Sequence, residues 1–257
     1  MIGDIISSLE NPMVKEACSL NDKKYRRNYG KFLIDGEKLV SEVVYGAFEI
    51  DKIFVDAAKI KNFEYILTKF DGKVVPVTAK VMAKISENVT PQGIIAEVFM
   101  NNSNEFCPEK DEPFLILDRI QDPGNLGTII RTAAATGYST IVLIDTADAY
   151  SSKVIRSSSG GIFYMDIFRM TENEILDYCE KNDVEILVAD MDGVNVFNAN
   201  FQNQNYALVI GNEGQGVSKS FKEIGRKISL PMKSQMESLN AGVSASVLMY
   251  ILKGDKI

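Results

Sequence analysis

The chain has 257 residues, 46% of them hydrophobic and 25% charged, a balance that excludes a disordered or fibrous protein. Its 28 basic and 35 acidic residues give a formal net charge of −7, which argues against a general nucleic-acid binder held by bulk charge. It contains no histidine, so a His general base, a His-ligated metal and a Ser-His-Asp triad are all excluded.

This length fits one large domain or two modest ones, with a core that needs no disulfide or metal. The three cysteines, Cys18, Cys107 and Cys179, lie far apart and form no CxxC or metal-ligand pattern, so a reduced, cytoplasmic protein without a metal site is expected. The N-terminal segment has no basic start followed by an apolar core, so no signal peptide is expected. No apolar run reaches the roughly 18 residues of a membrane span.

In chain order, the first feature is a basic cluster, Lys23, Lys24, Arg26, Arg27 and Lys31, interleaved with Tyr25 and Tyr29. It reads either as a solvated helix end and loop or as a patch that contacts phosphates and stacks bases, as single-stranded or looped RNA requires. Short apolar strands then alternate with amphipathic helices. Strands are predicted at 31–35, 49–56, 73–78 and 93–100, and helices at 36–46, 59–70 and 79–86. Residues 1–100 thus read as a small α/β domain. The polar stretch 101–112 is acidic, contains Pro108 and reads as a linker.

The alternation restarts over 113–257. Strands are predicted at 113–120, 139–145, 183–190, 206–211 and 226–231, and helices at 126–137, 172–182 and 238–252. Near-continuous Ile, Leu and Val runs imply strands buried on both faces, hence a mainly parallel sheet covered by helices.

In such a sheet ligands bind at the carboxyl ends of the strands. Three polar loops sit there: 118–137, 209–218 and 230–240. The second, VIGNEGQGVS, reads GxxGxG rather than the dinucleotide-binding GxGxxG. Gly211 and Gly216 have P-loop spacing, but Val217 stands where the phosphate-reaching lysine would be. Either the glycines make a plain tight turn or they let backbone approach a ligand. In the first loop Asn125 suits a helix cap, with the helix starting after it. Arg131 follows among Ile129, Ile130, Ala133 and Ala134. It reads as a partner of Glu213, as an exposed snorkelling side chain, or as a fixed cation aimed at a phosphate or developing oxyanion.

Together the loops resemble the three motifs of the SpoU (TrmH) family of RNA ribose 2′-O-methyltransferases, in the SPOUT superfamily. Motif one is carried by Asn125, Gly127 and Arg131, motif two by Gly211, Asn212, Glu213, Gly214 and Gly216, and motif three by Pro231, Met232, Ser238, Leu239 and Asn240. Residues 153–163 are similar to the family's segment between motifs one and two, and 1–100 more weakly resemble a substrate-binding domain.

The resemblance implies a C-terminal α/β domain closed by a deep trefoil knot, an exception to the general avoidance of knots. It implies S-adenosylmethionine against Ile210, Gly211, Gly216, Leu230 and Leu239. It implies a catalytic set of Arg131, Asn125, Glu213, Ser238 and Asn240, with Glu213 orienting Asn125 or Arg131, and RNA held by Lys23, Lys24, Arg26, Arg27 and Lys31. A homodimer is implied, with Val243, Val247, Leu248 and Ile251 of the last helix either at the interface or in the core. Ala241-Gly242 after Asn240 depart from the family's bulkier residues and imply a looser helix start. The expected activity is 2′-O-methylation of ribosomal RNA. The alternatives are a tRNA 2′-O-methyltransferase, a silent RNA-binding module of the same fold, or a small-molecule nucleotide binder.

Overall fold

The computed structural model describes residues 3–43, 48–70, 72–100, 106–108, 112–198, 201, 205–233, 235 and 238–253. It divides into two compact units, residues 1–102 with Tyr150–Arg156, and 103–149 with 157–257. Most of the predicted linker, 101–105 and 109–111, lies outside the described residues.

In the N-terminal unit, α1 (Pro12–Ser19) starts at Asn11, whose side chain accepts from Met13 N at 2.9 Å. All of the basic cluster but Lys31 falls in a second helix, α2 (Lys23–Tyr29), capped by Asp22 and closed by Gly30 at φ 63°. Strand β1 (Lys31–Asp35) follows, then α3 (Glu37–Val43), β2 (Ile50–Asp56), β3 (Val74–Val77) and β4 (Ile94–Phe99). The helix predicted at 59–70 is instead a 3-10 segment, Ala57–Phe63, leading into a single α-turn, α4 (Glu64–Leu67). The Asp56 carboxylate accepts from Ala58 N and caps that tighter start. Helix α5 (Ala79–Ile85) begins at Thr78.

The sheet order is β1-β4-β2-β3, antiparallel except for β2 with β3. One of its faces meets Val14, Ala17 and Leu20 at α1 and Val81, Met82 and Ile85 of α5, with Leu33, Phe54 and Ile95 beneath them.

The C-terminal unit carries β5 (Phe114–Asp118), α6 (Pro123–Ala135), β6 (Thr140–Ile144), β7 (Asp166–Arg169), α8 (Glu172–Lys181), β8 (Glu185–Asn195), β9 (Tyr206–Gly211), α9 (Lys219–Ile224), β10 (Arg226–Ser229) and α10 (Ala241–Lys253). A short helix α7 (Ser152–Ser158) precedes β7. The six strands run β10-β8-β9-β5-β6-β7, and every pairing is parallel. This is the expected buried sheet: β5, β6 and the first five residues of β9 are buried throughout. Strand β7 was not anticipated, because its four residues begin and end in a charge.

Helix α6 corrects the predicted cap. It begins at Pro123, and the cap is Asp122, whose carboxylate accepts from Asn125 N at 2.8 Å. Asn125 lies in the first turn, so its side chain is free for another task. Among the described residues no helix is long and apolar enough to cross a membrane.

Candidate active site

Four chain segments build the site at the carboxyl edge of the parallel sheet. The β9 strand ends at Gly211, and the chain then turns so tightly that Asn212 bridges back to Gly216. A Cβ on Gly211 would lie 2.2 Å from Val217 N and 2.4 Å from Gly216 C, so only glycine allows this closure. The Asn212 carboxamide oxygen accepts from Gly214 N and Gln215 N, both at 3.0 Å, and holds the turn from inside.

Strand β8 supplies the second wall. Its pairing with β10 passes from Val188 directly to Val194, so residues 189–193 leave the ladder. Ala189, Asp190 and Met191 line a cavity there. A Cβ on Gly193 would lie 2.5 Å from Ile228 N, which explains a glycine where the strand rejoins.

The cavity encloses about 560 Å3, between Ile210–Val217, Ser229, Leu230, Met232, Ser238, Leu239 and Leu248. That volume lies within the roughly 300–1,000 Å3 range of pockets for ligands of cofactor size. Its lining mixes apolar side chains with exposed backbone and a few charged groups. Burial opposes ionisation of Asp190, but Lys222 Nζ at 2.8 Å and Asp192 N at 3.0 Å hold its carboxyl below the usual range.

Beside the cavity runs a relay of side chains. Asn240 Nδ2 donates to Asn125 Oδ1 at 2.8 Å, and Asn125 Nδ2 donates to Glu213 Oε1 at 2.8 Å. Both ends fix its direction. The Glu213 carboxylate only accepts, so Asn125 must turn its amino group there. Asn240 Oδ1 accepts from Val243 N at 3.1 Å, which leaves its own amino group for Asn125. Asn125 is 9% exposed and both halves of its amide are satisfied.

The relay also joins α6 to α10. Thr132 Oγ1 meets Ser246 Oγ at 2.8 Å, and a Cβ on Gly242 would lie 3.4 Å from Asn125 Cα. Gly242 therefore lets α10 approach the start of α6 closely. Helix α10 begins at Ala241, so Ser238 and Asn240 precede it rather than lying within it.

The structure thus brings Asn125, Glu213 and Asn240 together. Ser238 is exposed on the cavity wall. Ile210, Gly211, Gly216, Leu230 and Leu239 all line the cavity. Arg131 is placed otherwise. Its backbone is packed, with a Cβ on Gly161 reaching to 3.0 Å from Arg131 Cα, but its side chain is exposed. Among the described residues it has no hydrogen-bond or ion-pair partner, so the pairing with Glu213 is absent. Sequence reasoning overlooked Asp122 and Asp190. The Asp122-Pro123 pair is itself a cap signal, and Asp190 ends an apolar run.

The basic cluster does not survive whole. Lys23, Lys24 and Arg27 are exposed, as are Tyr25 and Tyr29, whose rings stack 6.3 Å apart. Arg26 is 6% exposed and donates to Leu20 O at 2.7 Å. Lys31 is enclosed by Glu16, Asp51 and Glu97, each at 2.8 Å. Those two cations hold the N-terminal unit together and are not presented to RNA.

A parallel sheet of this order with a tight glycine loop and a C-terminal helix closing the cavity defines a SPOUT domain of the trefoil-knot class. The family model of the SpoU rRNA Methylase family matches residues 112–250, and that of the MRM3-like substrate binding domain matches 11–96. The chain belongs to the SpoU methylase family. It is 32% identical to the 23S rRNA (guanosine(2553)-2′-O)-methyltransferase RlmP of Bacillus subtilis, over 97% of this chain and 99% of that protein. It is 27% identical to a 23S rRNA (uridine(2479)-2′-O)-methyltransferase of Streptomyces viridochromogenes, over 90% of this chain and 85% of that one. Among solved structures, an AdoMet-bound rRNA methyltransferase from Sinorhizobium meliloti superposes with a TM-score of 0.86 at 27% identity, covering 97% of both chains. S-adenosylmethionine fits the cavity by volume, by its apolar walls at Ile210, Leu230 and Leu239, and by the backbone exposed along the glycine loop.

Proposed function

We propose that this chain methylates a ribose 2′-hydroxyl of ribosomal RNA. The observation that carries this reading is the Asn240–Asn125–Glu213 relay at the wall of the cavity, in a chain whose rRNA-modifying relatives match it along nearly their whole length. Full-length similarity to rRNA enzymes favours rRNA over tRNA. Bound S-adenosylmethionine supplies an electrophilic methyl group on its sulfonium.

The chain's own residues then have a positioning task. Ile210, Gly211, Gly216, Leu230 and Leu239 hold the cofactor. The relay fixes the loops of motifs one, two and three against each other, so that Glu213 and Ser238 stay at the cavity wall. Arg131 is exposed and unpaired, hence available to an RNA phosphate or to the 2′-oxygen as negative charge develops on it. A guanidinium stays protonated, so its role is electrostatic; the 2′-hydroxyl proton passes to solvent water or, as the second choice, to the Glu213 carboxylate.

Lys23, Lys24 and Arg27, with the Tyr25 and Tyr29 rings, form the RNA-contacting face of the substrate-binding unit. Val243, Val247 and Tyr250 leave an apolar stripe exposed along α10, while Leu248 and Met249 are buried. A homodimer would cover that stripe. The three cysteines are free, in keeping with a reducing cytoplasm.

The test is transfer of labelled methyl from S-adenosylmethionine to total RNA from a strain lacking the gene. Alkali-resistant label at one site in large ribosomal RNA is expected. Arg131→Ala should lower kcat by about 10²–10³-fold, the loss typical of one oxyanion-stabilising donor, with cofactor affinity unchanged. Label entering tRNA would overturn the rRNA assignment.

A further inference from the structure

A residue outside the three motifs grips the cofactor loop. Asp118 is the last residue of β5, fully buried and paired in register with Gly211, where that loop begins. Its carboxylate accepts from Ser218 N at 2.7 Å, just beyond the loop's other end. The next residue, Arg119, donates to the same carboxylate through Nε at 2.9 Å and Nη2 at 3.1 Å.

From this anchor the Arg119 guanidinium reaches over the loop. Nη1 donates to Gln215 Oε1 at 3.1 Å, and Nη2 to Gly216 O at 3.3 Å. The loop holds Arg119 in return, because Asn212 Nδ2 donates to Arg119 O at 2.9 Å. Asn212, Gln215 and Gly216 all line the cavity, whereas Arg119 does not.

Two further facts set Arg119 apart from ordinary surface arginines. Its φ is 59°, in the left-handed region where a non-glycine residue is strained. Its three nitrogens make four hydrogen bonds, two to one carboxylate and two to loop acceptors, a use that requires a rigid fork.

We infer that Arg119 is a positioning residue that preorganises the 212–218 loop for S-adenosylmethionine. This rests on the proposed cofactor reading of the cavity. Without the guanidinium the loop keeps its glycine turn but samples conformations in which Gly216 and Gln215 no longer frame the cavity. Apparent affinity then falls by the fraction of time the loop is competent. Cofactor binding restores that conformation, so turnover at saturation is preserved.

The left-handed φ makes the test clean. Arg119→Gly removes the clamp and relieves the strain together, so the fold is retained. Wild type, Arg119→Gly and Arg119→Lys are compared by calorimetric titration with S-adenosylmethionine and S-adenosylhomocysteine, thermal melting and methyl transfer to the total RNA described above. A competent-loop fraction near one tenth in Arg119→Gly predicts Kd for both ligands and KM for S-adenosylmethionine raised about tenfold. The value of kcat should stay within about twofold, KM for RNA should be unchanged, and Tm should move by no more than a few degrees. Arg119→Lys, with one charge and no fork, should fall between.

Equal cofactor affinity in Arg119→Gly and wild type would overturn the clamp while leaving the cofactor reading intact. So would a fall in kcat with unchanged affinity, which would place Arg119 in the chemistry. A large loss of Tm in both variants, with binding lost in parallel, would make it a folding residue. Failure of the wild type itself to bind S-adenosylmethionine would overturn the cofactor reading.

Discussion

The two units treat charge in opposite ways. In the N-terminal sheet, Glu97 sits in the middle of β4 with no exposure, in a cage with Lys31, Lys52, Glu16 and Asp51. In the C-terminal sheet the three most buried strands, β5, β6 and β9, carry no charge along their length except at a carboxyl end, where Asp118 follows Leu117. Mid-strand charge cannot reach a ligand and must be neutralised in place. End-of-strand charge meets the loop that frames the cavity and can organise it. The contrast also explains why a basic residue in a basic stretch need not face RNA: Lys31 opens a strand, and its ammonium is drawn into the cage.

The sharpest way to break this comparison is Lys31→Met. It strands a buried carboxylate, and such losses cost about 3–5 kcal/mol, with Lys52 at 3.5 Å from Glu97 keeping the loss near the lower end. Denaturant unfolding measures it. Adding Glu97→Leu should recover part of the stability, since a packed apolar residue replaces an unpaired charge.

The same cage fixes a pH response. Burial works against the Lys31 ammonium, but the hydrogen bonds it donates to Asp51, Glu16 and Glu97 outweigh that and raise its pKa. Lys31 lowers the Glu16 carboxyl, and lowers Asp51 against its own burial. Both therefore stabilise the fold above their unfolded values near about pH 4, and that stability is lost as pH falls through the folded values. Glu97 moves the other way, raised by burial, so its contribution is greatest in acid and declines as pH rises through its folded pKa. Stability measured from pH 2 to 7 should fall on the acid side in wild type and fall less in Lys31→Met. Equal acid limbs would show that Lys31 does not set the cage.

In the C-terminal unit the corresponding test is Gly211→Ala. Its Cβ would meet backbone at Val217 and Gly216, which cannot yield as a side-chain tip does. Overpacking of this kind costs about 1–3 kcal/mol, and the loop should open with loss of S-adenosylmethionine binding in titration. The smallest stability effect belongs to Lys23→Ala, Lys24→Ala and Arg27→Ala combined. Tm should hardly change, while RNA affinity falls and the log-log salt slope shrinks by about 0.7–0.9 per contact removed. An unchanged slope would move the RNA face elsewhere.

Much of the site was legible because its parts are local in sequence. The glycine loop is written in residues 211–216, and the apolar runs before each loop place it at a strand end. What misled was side-chain partnership over long separations. Asn125 looks like a cap because capping is local, yet Asp122 takes that role and Asn125 reaches Glu213 and Asn240 instead. Arg26 and Lys31 look like surface cations because their neighbours are polar, although Leu20 O and Glu97 claim them. The bulge at 189–193 that brings Asp190 to the cavity depends on how β8 meets β10, which periodicity does not encode.

By itself the sequence determined every strand but β7, the parallel character of the second sheet, the absence of histidine chemistry and the three loops at its strand ends. These follow from period, composition and turn residues, which act over a few positions. The tertiary structure decided which polar side chains meet: the relay through Asn125, the cage around Lys31 and the grip of Arg119 on the glycine loop. Such pairings join residues up to 115 positions apart, as Asn240 to Asn125 shows, and burial makes each one obligatory only once packing has removed water.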